Sequence, residues 1–280
     1  MAAPRLDSHV HFWRYTAAEF GWLDGPLEPL RRDFLPADLA EPRAAAGIDG
    51  AIAVQARQSH AETQFLLELA AATPWLRGVV GWVDLRAADV PSQLRALQRS
   101  GLLVGVRHVV EAEPDPEFVV GEAFLRGIAA LAPYDLVYDL LVQPRHWPST
   151  LALVERFPGQ KFVLDHAGKP DPHGDLDAWR RWLHALAKSP NVACKLSGWP
   201  REAGPEWTAA ALRPLAATVL DAFGPERVLF GSDWPVCQCA STYGRWVEAV
   251  AAWLSVLAPT EQDAVWGGNA QRLYALPRRR

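Results

Sequence analysis

Two histidines near the start of the chain, His9 and His11, have the spacing of residues that act together. They lie in the run Leu6–Trp13, which reads as a β-strand, and alternate residues of a strand share a face. Two imidazoles one pleat apart can hold one metal ion or hydrogen-bond one polar substrate group. The pattern is short and common, so its spacing alone is a weak indication of a site.

Polar residues also end the later apolar runs of the chain. If these runs are parallel strands of one closed barrel, their carboxyl ends meet at a single face. The first and last strands would then be neighbours, which brings Asp233 close to His9 and His11. The polar and aromatic residues at the later strand ends are Gln55, Arg57, Trp82, Asp84, Arg107, His108, Gln143, Asp165, His166, Lys195, Ser197, Asp233 and Trp234.

Short apolar runs alternate with longer amphipathic runs along the whole chain. Several of the short runs are apolar throughout, which is typical of strands buried on both faces of a parallel sheet. The predicted strands are Leu6–His11, Ala51–Gln55, Gly78–Val83, Leu103–Arg107, Leu136–Val142, Lys161–Asp165, Val192–Leu196 and Arg227–Phe230. The predicted helices are Pro36–Ala46, one opened by the capping sequence Ser59-His60-Ala61-Glu62, Pro91–Ser100, Glu117–Leu131, Pro148–Phe157, Leu176–Lys188, Thr208–Phe223, Tyr243–Leu257 and Asn269–Leu276.

Eight strand–helix units predict a single (β/α)8 barrel domain over residues 1–280. The alternative is an open doubly wound sheet, but no Gly-x-Gly-x-x-Gly follows the first strand. Two connections are unusually long, Phe12–Phe34 and Ser197–Trp207. Both would leave the carboxyl ends of strands, where long loops are usually functional.

Composition limits the partners of the chain. Its 280 residues are 50% hydrophobic with a net charge of −4, which speaks against nucleic acid or an anionic membrane. No apolar run is long enough for a membrane span, and the N-terminal residues lack the apolar core of a signal peptide. Cys194, Cys237 and Cys239 make no disulfide framework, so we expect a cytoplasmic protein with a solvated basic tail at 278–280. The sequence is compatible with a homo-oligomer.

Several longer strings resemble the amidohydrolase superfamily, and within amidohydrolase family 2 they are most similar to the lactonase-like branch. The first is the His9-x-His11 strand, and the most specific are Leu-Asp-His-x-Gly-Lys-Pro and Phe-Gly-Ser-Asp-Trp-Pro-Val. The likeness runs in the same order along essentially the whole chain. The matching stretches are Leu6–Trp13, Phe162–Pro170, Pro190–Gly198, Arg227–Cys237 and Gly268–Ala270.

The resemblance carries one departure that concerns the metal. Binuclear members of the superfamily use a carboxylated lysine or a glutamate on strand four and a histidine on strand five, where this chain has Arg107 and Gln143. The resemblance therefore implies at most one divalent ion, zinc or manganese. The ligands would be His9, His11 and Asp233. Some members of this branch work without a metal, so a metal-independent enzyme is left open.

The resemblance implies hydrolysis of a sugar (aldonic acid) lactone such as L-fucono- or L-rhamnonolactone. Asp233 would act as general base and His166 would orient water or the carbonyl group. Arg107, Gln143 and Lys195 would bind the substrate through hydrogen bonds. The chain has 13 tryptophans, and those near strand ends could stack on an apolar sugar face. These are Trp13, Trp82, Trp199 and Trp234.

Two other functions compete with the lactonase interpretation. A nonoxidative decarboxylase of a small aromatic carboxylate could use the same scaffold with a tightly held metal. A carbohydrate-binding barrel without catalytic activity would keep the pocket, although the retained Asp233 argues against it. Metal content together with carbon dioxide release would separate these possibilities.

Overall fold

The chain forms a closed barrel of eight parallel strands, as the sequence predicts. A computed structural model describes residues 4–276 and places the strands in sequential order around one sheet. Val10 bridges Trp234 in parallel, and the amide of His11 donates to the Trp234 carbonyl at 2.7 Å, which joins the last strand to the first. The strands are β1 Leu6–Val10, β2 Gly50–Val54, β3 Leu76–Gly81, β4 Leu103–His108, β5 Val137–Leu140, β6 Phe162–Leu164, β7 Val192–Leu196 and β8 Val228–Phe230.

Helices follow the strands and cover the outside of the barrel. The connection after β7, predicted as a loop, contains a short helix of its own, α7. The helices are α1 Pro36–Ala45, α2 His60–Ala72, α3 Val90–Gln98, α4 Glu122–Ala129, α5 Trp147–Arg156, α6 Asp177–Ala187, α7 Trp199–Ala203, α8 Ala209–Phe223, α9 Tyr243–Leu254, α10 Pro259–Asp263 and α11 Asn269–Leu273. The basic end at 278–280 lies outside the described residues.

Strand β3 differs most from its predicted bounds, because it begins and ends two residues earlier. The hydroxyl of Thr63 on α2 accepts from the Trp82 amide at 2.8 Å and lies 3.0 Å from the Trp82 carbonyl oxygen. A side chain from the helix thus satisfies the backbone groups of Trp82 that a longer strand would pair within the sheet.

The barrel interior changes from apolar to charged along its axis. At the amino end of the strands, apolar side chains pack against Tyr274 and Leu276 from the C-terminal segment. One pleat further on, three strands place ionisable residues on the same inward face: Val137 is followed by Asp139, Val163 by Asp165, and Ala193 by Lys195. Tyr274 and Leu276 therefore form a C-terminal plug that closes the amino end of the barrel. The polar residues lie toward the carboxyl end of the strands.

Among the residues that the structure describes, no helix combines the length and apolar character needed to cross a bilayer.

Candidate active site

The predicted approach of Asp233 to the two histidines is confirmed. Asp233 Oδ1 lies 3.2 Å from His11 Nε2 and 3.6 Å from His9 Nε2, and the two Nε2 atoms are 3.2 Å apart. Asp233 follows β8 with a left-handed backbone (φ 60°), and its amide donates to the His9 carbonyl at 2.9 Å. Such a strained conformation in a non-glycine residue is typical of a functional position.

The hydrogen bond of His11 Nδ1 leaves the other ring nitrogen of His11 free for a cation. Its Nδ1 lies 2.8 Å from the Val54 carbonyl oxygen, which can only accept, so Nδ1 carries the proton. In the neutral ring Nε2 then presents a lone pair to Asp233 Oδ1, and two acceptors at 3.2 Å need a proton or a metal ion between them. Tetrahedral zinc with ligands at about 2.0–2.1 Å spaces them about 3.3 Å apart, close to the separations found here. The donor set therefore fits one divalent ion.

His166 completes the group from the other side of the barrel. His9, His166 and Asp233 place ligand atoms within 4.8 Å of one another, the one such cluster found in residues 4–276. His166 Nδ1 contacts Ser197 Oγ at 2.8 Å, which leaves its Nε2 for the site. Gly198 has positive φ, and a Cβ there would lie 2.6 Å from the His166 ring, so glycine is required for this packing.

Arg107 occupies the position where a binuclear relative would have a metal ligand. Its Nη1 donates to Asp165 Oδ2 at 3.0 Å and lies 3.3 Å from His9 Nε2, and its Nη2 donates to the Gln55 carbonyl. The guanidinium is 3% exposed and faces the cavity. A fixed positive charge beside His9 opposes binding of a second cation on this side.

Lys195 lies beneath the histidines, in the charged layer of the barrel. Its ammonium is 2.5 Å from Asp139, 2.9 Å from Asp165 and 3.2 Å from His9 Nδ1, and the side chain is fully buried. The hydroxyl of Tyr274, from the C-terminal plug, donates to Asp139 at 2.8 Å. Substrate binding by Lys195 was expected from its strand-end position, but its carboxylate partners hold it below the cavity floor.

Burial sets the charge state of the floor. It lowers the pKa of His9 well below the ordinary value, and Lys195 adds to this effect. Burial likewise lowers the pKa of His166 to about 4, so the ring is neutral at neutral pH. Burial opposes ionisation of Asp233, but the neighbouring imidazoles outweigh it and hold its pKa below the usual range. Asp233 is therefore a carboxylate that faces the neutral rings of His9 and His166.

A second aspartate joins the first strand to the loop that carries Asp233. Asp7 Oδ1 accepts from the amides of His9 at 3.0 Å and Ser232 at 2.9 Å, and its Oδ2 accepts from the Tyr243 hydroxyl at 3.0 Å. This residue is fully buried between β1 and the β8 loop. Asp7 thereby positions the backbone on both sides of the His9–Asp233 contact.

Above this floor lies a cavity of about 400 Å³. Both long connections contribute to its wall, Glu19 and Trp22 from the first and Arg201 and Glu202 from α7. The sequence alone did not predict most of these residues, because no local sequence pattern shows that a loop side chain faces a cavity. For Lys169, the Gly-Lys-Pro string was the one indication. The lining is His11, Glu19, Trp22, Ala56, Arg57, Gln58, Arg107, Val109, Glu111, Ala112, Leu141, His166, Lys169, Gly198, Arg201, Glu202, Asp233 and Val236.

The four tryptophans expected to stack on substrate lie behind this wall. Trp13, Trp199 and Trp234 are at most 1% exposed, because aromatic neighbours cover their rings. Trp82 is half-buried against His60 and His108. The structure instead gives Trp22, 39% exposed, a ring at the cavity mouth.

Gln143 also lies outside the cavity wall. Its side-chain carbonyl accepts from Arg145 at 2.7 Å in the loop after β5. Of the expected substrate-binding residues, Arg107 is the one that the structure brings to the cavity.

Comparison with known proteins assigns the family. The amidohydrolase family model matches residues 6–276, and the chain belongs to this family, which confirms the resemblance. An L-fucono-1,5-lactonase from Burkholderia multivorans is 44% identical over 99% of this chain and 98% of its own, and one from Burkholderia ambifaria is 36% identical over 98% and 96%. A crystal structure of a Burkholderia multivorans amidohydrolase with bound zinc superposes with a TM-score of 0.93 at 42% identity, covering 98% of this chain and all of that one.

Proposed function

We propose that this protein is a hydrolase that opens the ring of a sugar lactone, L-fucono-1,5-lactone or a close relative. The observation that carries the proposal is the contact of Asp233 with His9 and His11 at the floor of a cavity of sugar size, beside the fixed guanidinium of Arg107. The two lactonase relatives, aligned over nearly the whole chain, support the same reaction.

Asp233 is the general base of the proposed mechanism. It accepts a proton from a water molecule whose oxygen attacks the lactone carbonyl carbon. The bond from that carbon to the ring oxygen then breaks, and Asp233 returns the proton to the ring oxygen as it leaves. The products are a free hydroxyl and a carboxylic acid, so one carboxylate and one released proton follow each turnover at neutral pH.

Arg107 and His166 position the reacting groups. The guanidinium of Arg107 is fixed by Asp165 and the Gln55 carbonyl, so it provides positive charge without reorganisation near the carbonyl oxygen. Ser197 orients His166 so that its free nitrogen faces the attacking water. A divalent ion held by His9, His11 and Asp233 would polarise the ester carbonyl.

The three cysteines of the chain are free thiols, two of them buried. This is typical of a reducing compartment. We therefore assign the reaction to the cytoplasm.

The test is acid release, followed with a pH indicator, on freshly made aldono-1,4- and 1,5-lactones of L-fucose, L-rhamnose, L-galactose and D-glucose. We expect rapid release from one or two of them, well above spontaneous hydrolysis. The Asp233→Asn protein at equal concentration measures the background. No acid release from any lactone would exclude the proposed function. The same assay with and without chelator, followed by zinc addition, shows whether turnover depends on the metal.

A further inference from the structure

Three charged side chains from three different loops meet across the mouth of the cavity. Lys169, after β6, forms an ion pair with Glu111, after β4, and its ammonium lies 3.9 Å from Glu202 Oε1 on α7. All three line the cavity, above the floor that carries Asp233. No step of the proposed reaction uses them.

The contact between Lys169 and Glu111 is largely shielded from solvent. The two side chains are 10% and 20% exposed, and Lys169 has a left-handed backbone (φ 55°) after the 3-10 turn that carries His166. Burial opposes ionisation of Glu111, but Lys169 outweighs it and holds the pKa of Glu111 below its ordinary value. Glu111 is therefore a carboxylate throughout the neutral pH range.

The cavity wall has no net charge, and most of its cations are already paired. Four basic side chains face four carboxylates in the lining. Arg57 pairs with Glu19 at 2.7 Å, Arg107 with Asp165 at 3.0 Å, and Lys169 with Glu111. The fourth cation, Arg201, is exposed and attracts Glu111 through space. A ligand anion would thus compete with resident carboxylates for each of the paired cations.

An ammonium between two carboxylates suits neighbouring hydroxyl groups. The ammonium donates to hydroxyl oxygens, and the carboxylates accept hydroxyl protons in charge-assisted hydrogen bonds. A carboxylate ligand at the same place would meet like charge from Glu111 and Glu202, which is an effective way to reject a wrong ligand.

We propose that Glu111, Lys169 and Glu202 determine specificity: they bind the hydroxyls of a neutral lactone and disfavour anionic ligands. This inference rests on the proposed lactonase function. It applies to the product as well, because ring opening converts a neutral ester into a carboxylate inside the cavity that Asp233 and these two glutamates line. The same residues that select the neutral substrate therefore promote release of the acid.

The experiment measures inhibition of lactone hydrolysis by two matched probes, the aldonate product and the corresponding uncharged alditol. In the wild type we expect the aldonate to bind more weakly than the alditol, with KI above the KM of the lactone. The double variant Glu111→Gln/Glu202→Gln leaves Lys169 unpaired. We expect its KI for the aldonate to fall about tenfold or more while the KM of the lactone rises. A gain of anion affinity cannot come from simple misfolding.

Two further variants complete the design. Lys169→Met should raise the KM of the lactone without strengthening aldonate binding. Glu117→Gln, an exposed carboxylate of the same β4 loop, removes one negative charge outside the cavity and should change neither constant. An unchanged aldonate KI in the double variant, or a wild-type KI below the KM, would overturn the inference alone. Absence of lactone turnover by the wild type would overturn the proposed function, and the inference with it.

Discussion

The floor and the mouth of the cavity hold charged groups of the same kinds in very different settings. At the floor, Asp233 and Arg107 stand on or directly after strands and are 4% and 3% exposed. At the mouth, Arg57 and Glu19 come from loops, and their side chains are 20% and 46% exposed. Coulomb interactions are strong in the poorly solvated floor and screened at the mouth. The barrel therefore fixes the groups that do the chemistry, whereas the loops determine which molecule reaches them.

Charge compensation directly beneath the floor is also built into the barrel. Lys195 pairs with Asp139 and Asp165, and Arg107 is the second cation that pairs with Asp165. Loss of one partner there leaves a buried charge without compensation, which is far more costly than loss of an exposed pair.

Removal of the base should affect catalysis most. Asp233→Asn keeps the shape of the side chain but cannot accept the proton from water, so we expect kcat to fall by about 10³–10⁴. The thermal midpoint should stay within a few degrees of the wild type. Initial rates on the best lactone measure the effect, and Asp221→Asn, which changes an exposed carboxylate, is the control. Near-wild-type turnover of the Asp233 variant would remove this residue from the role of base.

Loss of the buried lysine should affect stability next. Lys195→Met leaves Asp139 and Asp165 without their shared cation, and we expect a loss of about 3–5 kcal/mol in the free energy of unfolding. The exposed pair of Lys161 and Asp135 has a similar distance, 2.7 Å, and Lys161→Met should cost less than about 1 kcal/mol. Urea denaturation compares the two variants. Equal losses would contradict the distinction between a buried and a screened pair.

Glu62, which is hydrogen-bonded to Ala56 and Arg57 of the cavity wall, should make stability depend on pH. Its carboxyl oxygens accept hydrogen bonds from the backbone amides of Ala56 and Arg57. Burial raises the pKa of Glu62 to about 7. The folded state therefore retains a proton that the unfolded chain releases near pH 4.3. The stabilisation, up to about 3 kcal/mol, is complete below that pH and is lost as pH rises through 7.

Unfolding free energies at several pH values between 4 and 8 measure this contribution. Glu62→Gln should show a flatter pH dependence than the wild type. Glu68→Gln changes an exposed carboxylate of the same helix and should follow the wild-type curve. Parallel curves for all three proteins would show that Glu62 does not titrate in this range.

The smallest effect is expected at the mouth. Arg57→Met removes the partly screened ion pair with Glu19 and one of the side chains that line the cavity. We expect the KM of the lactone to rise about fivefold and kcat to stay within twofold of the wild type. Steady-state kinetics on the same lactone measure both constants. Arg180→Met, on the outside of the barrel, serves as control. A large loss of kcat would instead show that Arg57 takes part in the reaction and does more than bind substrate.

Sequence patterns were sufficient for the barrel and for the face that carries the candidate metal ligands. Strand alternation puts His9 and His11 on one side, and barrel closure brings Asp233 to them, because neighbouring parallel strands end at the same edge. The same alternation places Asp165 and Lys195 inside the barrel. These features follow from alternation within each strand and from closure of the barrel, and the pattern of eight strand–helix units in the sequence indicates both.

Which strand-end residues reach the cavity depends on long-range packing, which the strand pattern does not reveal. Trp199 and Lys195 both follow the predicted pattern, yet Trp246 and Trp253 of α9 cover the tryptophan, and Asp139 of β5 retains the lysine. The mouth likewise depends on ion pairs such as Lys169 with Glu111, 58 positions apart in the chain. Alternation assigns a side chain to a face, but whether it meets substrate or protein is decided by packing partners that are distant in the sequence.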